Sequence, residues 1–436
     1  MAQRYWLETL GCPKNRVDSD KLAGTLHAGG YRAAASPAEA DLVVVNTCAF
    51  IEAARQESVD TILELDAARR PGSRLVVTGC LAERYGQELA DALPEIDLVA
   101  GFGVPVALGR APGRRPDSSG GPTADSALPA FDLLNLPRPR SSAPWAYVKV
   151  AEGCDRHCGF CAIPSFRGRQ RSRTEQAVLA EVADLGDGVQ EIVLVAQDLA
   201  SWGLDRGAPD RGVRQGGGPR PIVGLLRRVS GLVARVRLLY LYPSALDDAL
   251  VDAVLDTGVP YFDLSLQHVS RPLVERMRRW GDGERFLHRI AAIRAAAPGA
   301  VLRSSFILGY PGETEDDHDL LLDFLAEARL DWAGFFTFSS EQGTYAAGLP
   351  DQVPVALAAE RMRECAELQD LITAEKRADL VGDHLEVLVD EPGVARSFAE
   401  APEIDGVVHV PPTLAPGRFH KVLVTGAAGP DLWGEP

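Results

Sequence analysis

The chain has 436 residues, 46% of them hydrophobic, which exceeds one ordinary domain and is enough to bury two or three cores. Its 45 basic against 61 acidic residues leave a net charge of −16, which disfavours wholesale binding to a phosphate backbone and favours a basic partner. Residues 1–10 lack a basic region followed by an apolar run, and no later stretch approaches about 18 consecutive apolar residues. A cytoplasmic protein with no membrane contact is therefore expected, in which seven cysteines serve metal or redox chemistry rather than disulfides.

Along the chain, short apolar runs at 5–10, 42–46 and 75–78 predict buried strands, each followed by a helical segment. Such βα units in series predict a parallel sheet covered by helices, a three-layer α/β domain over residues 1–106. Residues 107–144 are rich in Gly, Pro, Ser and Arg and read as a linker. Six strand candidates follow, at 146–151, 191–196, 236–241, 261–266, 301–309 and 333–339. They alternate with helical stretches and predict a partial (β/α)6 barrel over 145–373, with 203–220 as a surface insertion. A long helix over 355–380 leads into 384–389 and 421–425, which alternate in strand fashion amid Gly and Pro. A small β-barrel over 374–436 is the economical reading.

Cys154, Cys158 and Cys161 form C-x3-C-x2-C immediately after the first barrel strand, where sites of this architecture gather. Three thiolates at that spacing supply three of the four ligands of a 4Fe-4S cube and leave one iron open. An open iron can chelate S-adenosylmethionine (SAM) and pass an electron to its sulfonium, releasing the 5′-deoxyadenosyl radical. The alternative is zinc with His157 as fourth ligand, but a histidine between two of the cysteines does not easily complete a tetrahedron. Cys12, Cys48 and Cys80 each stand just beyond one of the three N-terminal strands. Parallel neighbours share one carboxyl edge, so these thiols should converge as a second cluster site; three buried apolar cysteines are the alternative. Cys365, alone in a helix, is expected to be structural.

With both triads placed, the chain resembles the methylthiotransferase family of radical SAM enzymes over nearly its whole length. The motifs are Thr9-Leu-Gly-Cys-Pro-Lys-Asn15, Asn46-Thr-Cys-Ala-Phe-Ile51, Gln267-His268 and Phe306-Ile-Leu-Gly-Tyr-Pro-Gly-Glu-Thr-Glu-Asp316. Arg237-Leu-Leu-Tyr-Leu-Tyr-Pro243 and Ala401-Pro-Glu-Ile-Asp-Gly406 resemble the branch that modifies ribosomal protein S-twelve. The resemblance implies an N-terminal domain with an auxiliary cluster, a radical SAM barrel and an OB-like TRAM barrel. It implies two 4Fe-4S clusters, two SAM molecules per turnover, and methylthiolation of the β-carbon of an aspartate in that protein or in the assembled small ribosomal subunit. No protein acid or base is implied; a sulfur donor and an electron donor are, and the chain is expected to be a monomer.

Softer expectations attach to the cofactor. Phe160 is similar to the aromatic that radical SAM proteins set against adenine, and Gln197 and Asp198 stand at the rim expected to contact SAM. Arg303 is a candidate for the SAM carboxylate, and Gly309, Gly312 and Glu313 are similar to a ribose-side motif. Ordinary loop packing, ion pairing or a turn would explain the same residues. The rival substrate is transfer RNA; the rival class is a non-catalytic iron-sulfur protein that binds RNA or transfers electrons. Residues 374–436 hold eleven acidic and five basic residues, a net of −6, which suits a basic protein better than RNA. Asp390, Glu391, Glu400, Glu403 and Asp405 are the expected docking face.

Overall fold

The computed structural model describes residues 2–106, 132–206 and 220–436. They form two units, Met1–Pro139 with Ser165–Arg167, and Arg140–Pro164 with Gly168–Pro436. Most of the expected linker and of the 203–220 insertion lies outside the described residues.

The first unit runs β1 (Arg4–Thr9), α1 (Pro13–Ala28), β2 (Arg32–Ala33), β3 (Leu42–Thr47), α2 (Glu52–Ala68), β4 (Arg74–Gly79), α3 (Cys80–Tyr85), α4 (Gln87–Ala92) and β5 (Leu98–Ala100). The strands pair in parallel in the order β2-β1-β3-β4-β5. Leu42, Val43, Val44 and Val45 are completely buried, each contributing about 1.5–3 kcal/mol, which makes β3 the natural centre. Alternation then divides the sheet into two faces. Val43, Val45, Leu75 and Val77 pack with Ile62 and Leu65 of α2, while Leu42, Val44 and Val76 pack with Leu22 and Leu26 of α1. The three layers expected from the sequence result.

The second unit opens with β6 (Trp145–Lys149), β7 (Ala151–Glu152), α5 (Ile163–Arg167, whose last three residues belong to the first unit) and β8 (Arg171–Ser172). It continues through α6 (Glu175–Asp184), β9 (Glu191–Val195), α7 (Pro221–Ser230), β10 (Arg235–Leu238), α8 (Asp248–Leu255), β11 (Tyr261–Gln267), α9 (Arg271–Arg276), α10 (Gly283–Ala296), β12 (Val301–Leu308), α11 (Glu315–Ala328), β13 (Trp332–Thr337) and α12 (Val355–Ala378). Parallel sheets β6-β9-β10 and β11-β12-β13 are joined at one bridge, Leu241 to Leu264, giving the partial barrel of six strands. Helices cover its outer face through one continuous core that contains Cys365, fully buried.

The chain ends in a closed five-stranded barrel, β14 (His384–Glu391), β15 (Val394–Arg396), β16 (Val408–His409), β17 (Phe419–Ala428) and β18 (Asp431–Glu435), ordered β14-β15-β16-β18-β17. Its core is small and aliphatic, centred on Val387, Val389, Val408, Val422, Val424 and Leu432.

This module is fixed to the amino ends of the large barrel's strands. Glu191, fully buried at the start of β9, accepts from Arg237 Nε at 3.0 Å and from Arg396 Nη1 at 2.8 Å. Arg396 in turn grips Asp390 through two nitrogens at 2.5 and 3.0 Å. Glu400 is completely buried against Arg377 at 2.5 Å. Asp405 accepts from Tyr261 Oη at 2.6 Å and pairs with Arg303 at 3.4 Å. Tyr147 Oη donates to Pro402 O at 2.6 Å, and Trp332 Nε1 to Ala399 O at 2.8 Å. The docking-face expectation is corrected here: Asp390, Glu400 and Asp405 are turned inward because the strand ends present arginines that need counter-charges when buried. Only Glu391 and Glu403 of that set are exposed.

Candidate active site: two thiol triads

In the first unit Cys12 ends the loop after β1 and caps α1, which Pro13 opens at its first position. Cys48 follows β3, and Cys80 follows β4 as the first residue of α3. Because β1, β3 and β4 are adjacent and parallel, the cysteines share one sheet edge. Two glycines show how closely the loops pass. A Cβ on Gly11, at φ +88°, would lie 2.8 Å from Cys48 Cβ and 2.9 Å from its Sγ. A Cβ on Gly79, at φ +90°, would strike the Asn46 side chain and lie 2.6 Å from Thr47 N. Asn15 ties the loops together, its Nδ2 donating to Leu10 O at 3.0 Å and to Thr47 O at 2.9 Å.

The thiols act on one another electrostatically. Burial, followed by the neighbouring Cys12, pushes Cys48 up to about 12. Burial also raises Cys80, against the pull of Arg167. At Cys12 burial is outweighed by the charges of Lys14 and Arg167 and by the N–H groups of Asn15 and Lys14, so this thiol lies below its ordinary value. A helix amino end adds in the same sense.

In the second unit the 154–161 loop follows β7. Cys154 N donates to Gly168 O at 3.1 Å, Cys161 N to Cys158 O at 3.2 Å, and Gly159 N to Met277 O at 2.8 Å. Two donors are aimed at sulfur: Arg156 N at Cys154 Sγ, 3.4 Å, and Arg279 Nη1 at Cys158 Sγ, 3.1 Å. Burial pushes Cys154 up to about 11 and Cys161 up to about 12. His157 is exposed. Among the described residues no three His, Cys, Asp or Glu side chains are grouped as a single ion requires. A four-iron cube spreads its three thiolates over three irons and has no need of convergence on one point.

The remaining candidates divide. Asp198 accepts from Arg156 Nε at 2.7 Å, and Arg156 lies 3.5 Å over the Tyr242 ring with Arg279 at 4.3 Å from it. Gln197 Nε2 donates to Glu152 at 2.7 Å. Gln197 Oε1, Asp198 Oδ1 and Arg279 Nε are buried with no partner among the described residues. Orphaned acceptors and a cationic donor fit the amino and carboxylate ends of an amino-acid cofactor. Phe160 packs with Leu273, Met277 and Tyr310. Glu313 accepts from Gly309 N at 2.6 Å and Tyr310 N at 3.2 Å and pairs with Arg361 at 3.0 Å, so it organises the loop after β12. Arg303 is not brought to the triad: it pairs with Asp263 at 3.0 Å and with Asp405, near the start of β12. Non-glycine residues at positive φ, Tyr240 at 65° and Gln267 at 73°, stand just past β10 and at the end of β11, the strained placement common at functional sites.

Residues that sequence reasoning missed are Asn15, Arg156, Arg167, Tyr242 and Arg279. The signal for Arg279 was available, since Arg276, Arg278 and Arg279 stand within four positions, at and just past the end of α9. For Arg167 there was none.

Comparison with known proteins divides the chain into three regions. Residues 4–101 match the uncharacterised protein family UPF0004, residues 148–325 the radical SAM superfamily and residues 381–436 the TRAM domain. A relative from Moorella thermoacetica, described as ribosomal protein uS12 methylthiotransferase RimO, is 43% identical over 92% of this chain and 91% of its own. One of the same description from Saccharopolyspora erythraea is 42% identical over 93% and 89%. Among solved structures, the radical SAM methyltransferase TsrM from Kitasatospora setae covers 85% of this chain and 89% of its own at 14% identity and a TM-score of 0.54, a likeness of fold alone. Among the described residues no helix is long and apolar enough to cross a membrane. With relatives above 40% identity spanning nine tenths of both chains, this protein belongs to the methylthiotransferase family of radical SAM enzymes.

Proposed function

We propose that this chain methylthiolates the β-carbon of an aspartate in ribosomal protein uS12, in the cytoplasm, with one 4Fe-4S cluster on Cys154, Cys158 and Cys161 and a second on Cys12, Cys48 and Cys80. The observation that carries this is the paired placement of two sets of three cysteines, each at the carboxyl edge of parallel strands and each without a fourth cysteine beside it among the described residues. When bound at the barrel triad, a cluster with an open iron supplies reductive cleavage of SAM, and one at the N-terminal triad supplies a place for the transferred sulfur.

The chain's own residues bind and orient. Arg279 and the Arg156 amide offset negative charge on the barrel sulfurs. Gln197 and Asp198 offer acceptors to the SAM amino group, held by Glu152 and Arg156. Glu313 fixes the backbone of Gly309 and Tyr310 beside Phe160. The substrate reading is supported by what the relatives are described as modifying and by the acidic exposed surface of the last module, which includes Asp379, Asp383, Glu391, Glu403 and Glu435.

Mass spectrometry of ribosomal proteins and of digested transfer RNA from a deletion strain tests the substrate. A methylthio group lost from uS12 supports the proposal; one lost from transfer RNA alone replaces it. Reconstituted variants test the sites. Cys154, Cys158 and Cys161 changed to Ala should hold about half the iron and form no deoxyadenosine, whereas Cys12, Cys48 and Cys80 changed to Ala should cleave SAM without making methylthiolated product.

A further inference from the structure

Arg167 closes α5, and its segment, Ser165–Arg167, belongs to the first unit. Its side chain is 3% exposed. Nη1 donates to Asp18 Oδ2 at 3.0 Å; Nη2 donates to Asn15 Oδ1 at 2.7 Å and to Cys80 Sγ at 3.0 Å. One face of the guanidinium covers the Phe102 ring at 4.2 Å. Asp18 is itself 1% exposed, so a buried ion pair is tied to a buried thiol.

Burying a guanidinium costs several kcal/mol unless every donor is well used. Asp18 would balance the charge by itself, yet one N–H is spent on sulfur. A neutral thiol is a weak acceptor, whereas a thiolate makes a charge-assisted bond about twice as strong. Cys80 Sγ also lies 3.7 Å from Asn15 Oδ1, a long contact that a thiol could make as donor; the shorter bond from Arg167, at 3.0 Å, is the one that suits a metal-bound thiolate. Asn15, which carries Arg167 on its oxygen, also spans the ends of β1 and β3 through its nitrogen, so the cation is held in register with all three cysteine loops.

We propose that Arg167 is a positioning residue of the N-terminal cluster, whose N–H bond to the Cys80 sulfur raises the cluster's reduction potential, with Asp18 as an opposing charge. This rests on the reading of Cys12, Cys48 and Cys80 as a cluster site. Hydrogen bonds to cluster sulfurs and net charge set such potentials. Adding an electron adds negative charge, so a nearby cation favours the reduced form and a nearby anion disfavours it.

The test uses the full chain with Cys154, Cys158 and Cys161 changed to Ala, so that any reconstituted cluster belongs to the N-terminal triad, and follows a potentiometric titration by electron paramagnetic resonance. Arg167→Gln should shift the reduction equilibrium at least tenfold toward the oxidised form, a midpoint lower by about 59 mV for one electron. Asp18→Asn should shift it in the opposite direction, and Arg167→Lys should restore part of the loss. Opposite signs from the two partners are not what a purely structural pair would give. If both variants hold the cluster and titrate like their parent, the proposal is overturned while the cluster reading stands. If the parent itself binds no iron, the cluster reading falls and takes the proposal with it. If Arg167→Gln alone fails to hold iron, Asp18→Asn decides: a raised midpoint supports the proposal and an unchanged one overturns it.

Discussion

Glu191→Gln is the sharpest probe of how the C-terminal module is held. The carboxylate is fully buried, and its two oxygens serve Arg237 and Arg396 at 3.0 and 2.8 Å. Burial by itself pushes this carboxyl upward, but Arg396, Arg237 and Arg235 outweigh it and hold the group at about 2 instead of 4.5. That difference corresponds to about 3 kcal/mol of stability at neutral pH. Removing one partner of a buried pair gives a similar figure, about 3–5 kcal/mol, since the arginines remain buried without it. The sign follows from a depressed folded value: the contribution is complete above pH 4.5 and is lost as pH falls toward 2. Urea unfolding followed by tryptophan fluorescence reads it, because Trp145 lies 5.9 Å from the Arg396 guanidinium and Trp332 bonds Ala399 at the same seam. The gap between wild type and variant should be about 3 kcal/mol at pH 7 and roughly halved at pH 3, where other titrations cancel in the difference. A variant within about 1 kcal/mol of wild type at pH 7, or a gap that ignores pH, would refute the reasoning.

Three further outcomes are expected. Gly79→Ala forces a methyl group against Asn46 and Thr47 at φ +90°, ψ −161°, so it should cost about 1–3 kcal/mol and deplete iron from the N-terminal site while deoxyadenosine formation continues; a full complement of iron would show that the loops can part without loss. Arg279→Met removes the donor to Cys158 and should slow deoxyadenosine formation at least tenfold, about 1.4 kcal/mol, and an unchanged rate would remove Arg279 from the site. His268 is fully buried and pushed down to about 4 by that burial, so stability should fall as pH drops from 6.5 to 4, by up to about 3 kcal/mol; a His268→Gln variant whose melting temperature shows the same pH slope would exclude it as the cause.

The strands that carry cysteine were legible because each is a short, mostly apolar run, valine-rich in β3 and β4 and aromatic in β1, broken by a polar or glycine residue just before the thiol. β2 was not, since Arg32 and Ala33 are both exposed and held only by pairing with β1, and β5 has three residues. The six barrel strands were read near their observed bounds, but only two of the five strands in the last barrel, because its short elements depend on closure for their definition. The triads were visible as spacing and as position. Arg167 was invisible because Asp18 lies 149 residues away, and an arginine at the end of a five-residue helix gives no hint of a buried partner. Charge counting misjudged Glu400 and Asp405 for a related reason: it treats every carboxylate as solvated, whereas these two answer Arg377 and Arg303 inside the protein. Arg303 likewise looked available for a ligand until Asp263 and Asp405 were placed beside it.

The seam at the strand starts bears on domain exchange. Arg237, Tyr147, Tyr261 and Arg303 on the large barrel meet Arg396, Glu400, Pro402 and Asp405 on the small one in a matched set. A chimaera that imports the last module from a relative with a different substrate must import both halves of that set. Transplanted alone, a foreign module without Arg396, Glu400 and Asp405 would leave buried Glu191 short of one arginine and Arg377 and Arg303 each short of a carboxylate, and the hybrid would fail by misassembly before its specificity was ever exercised. Selectivity engineering in this protein is therefore better confined to the exposed rim of the small barrel, around Glu391 and Glu435, which takes no part in the seam.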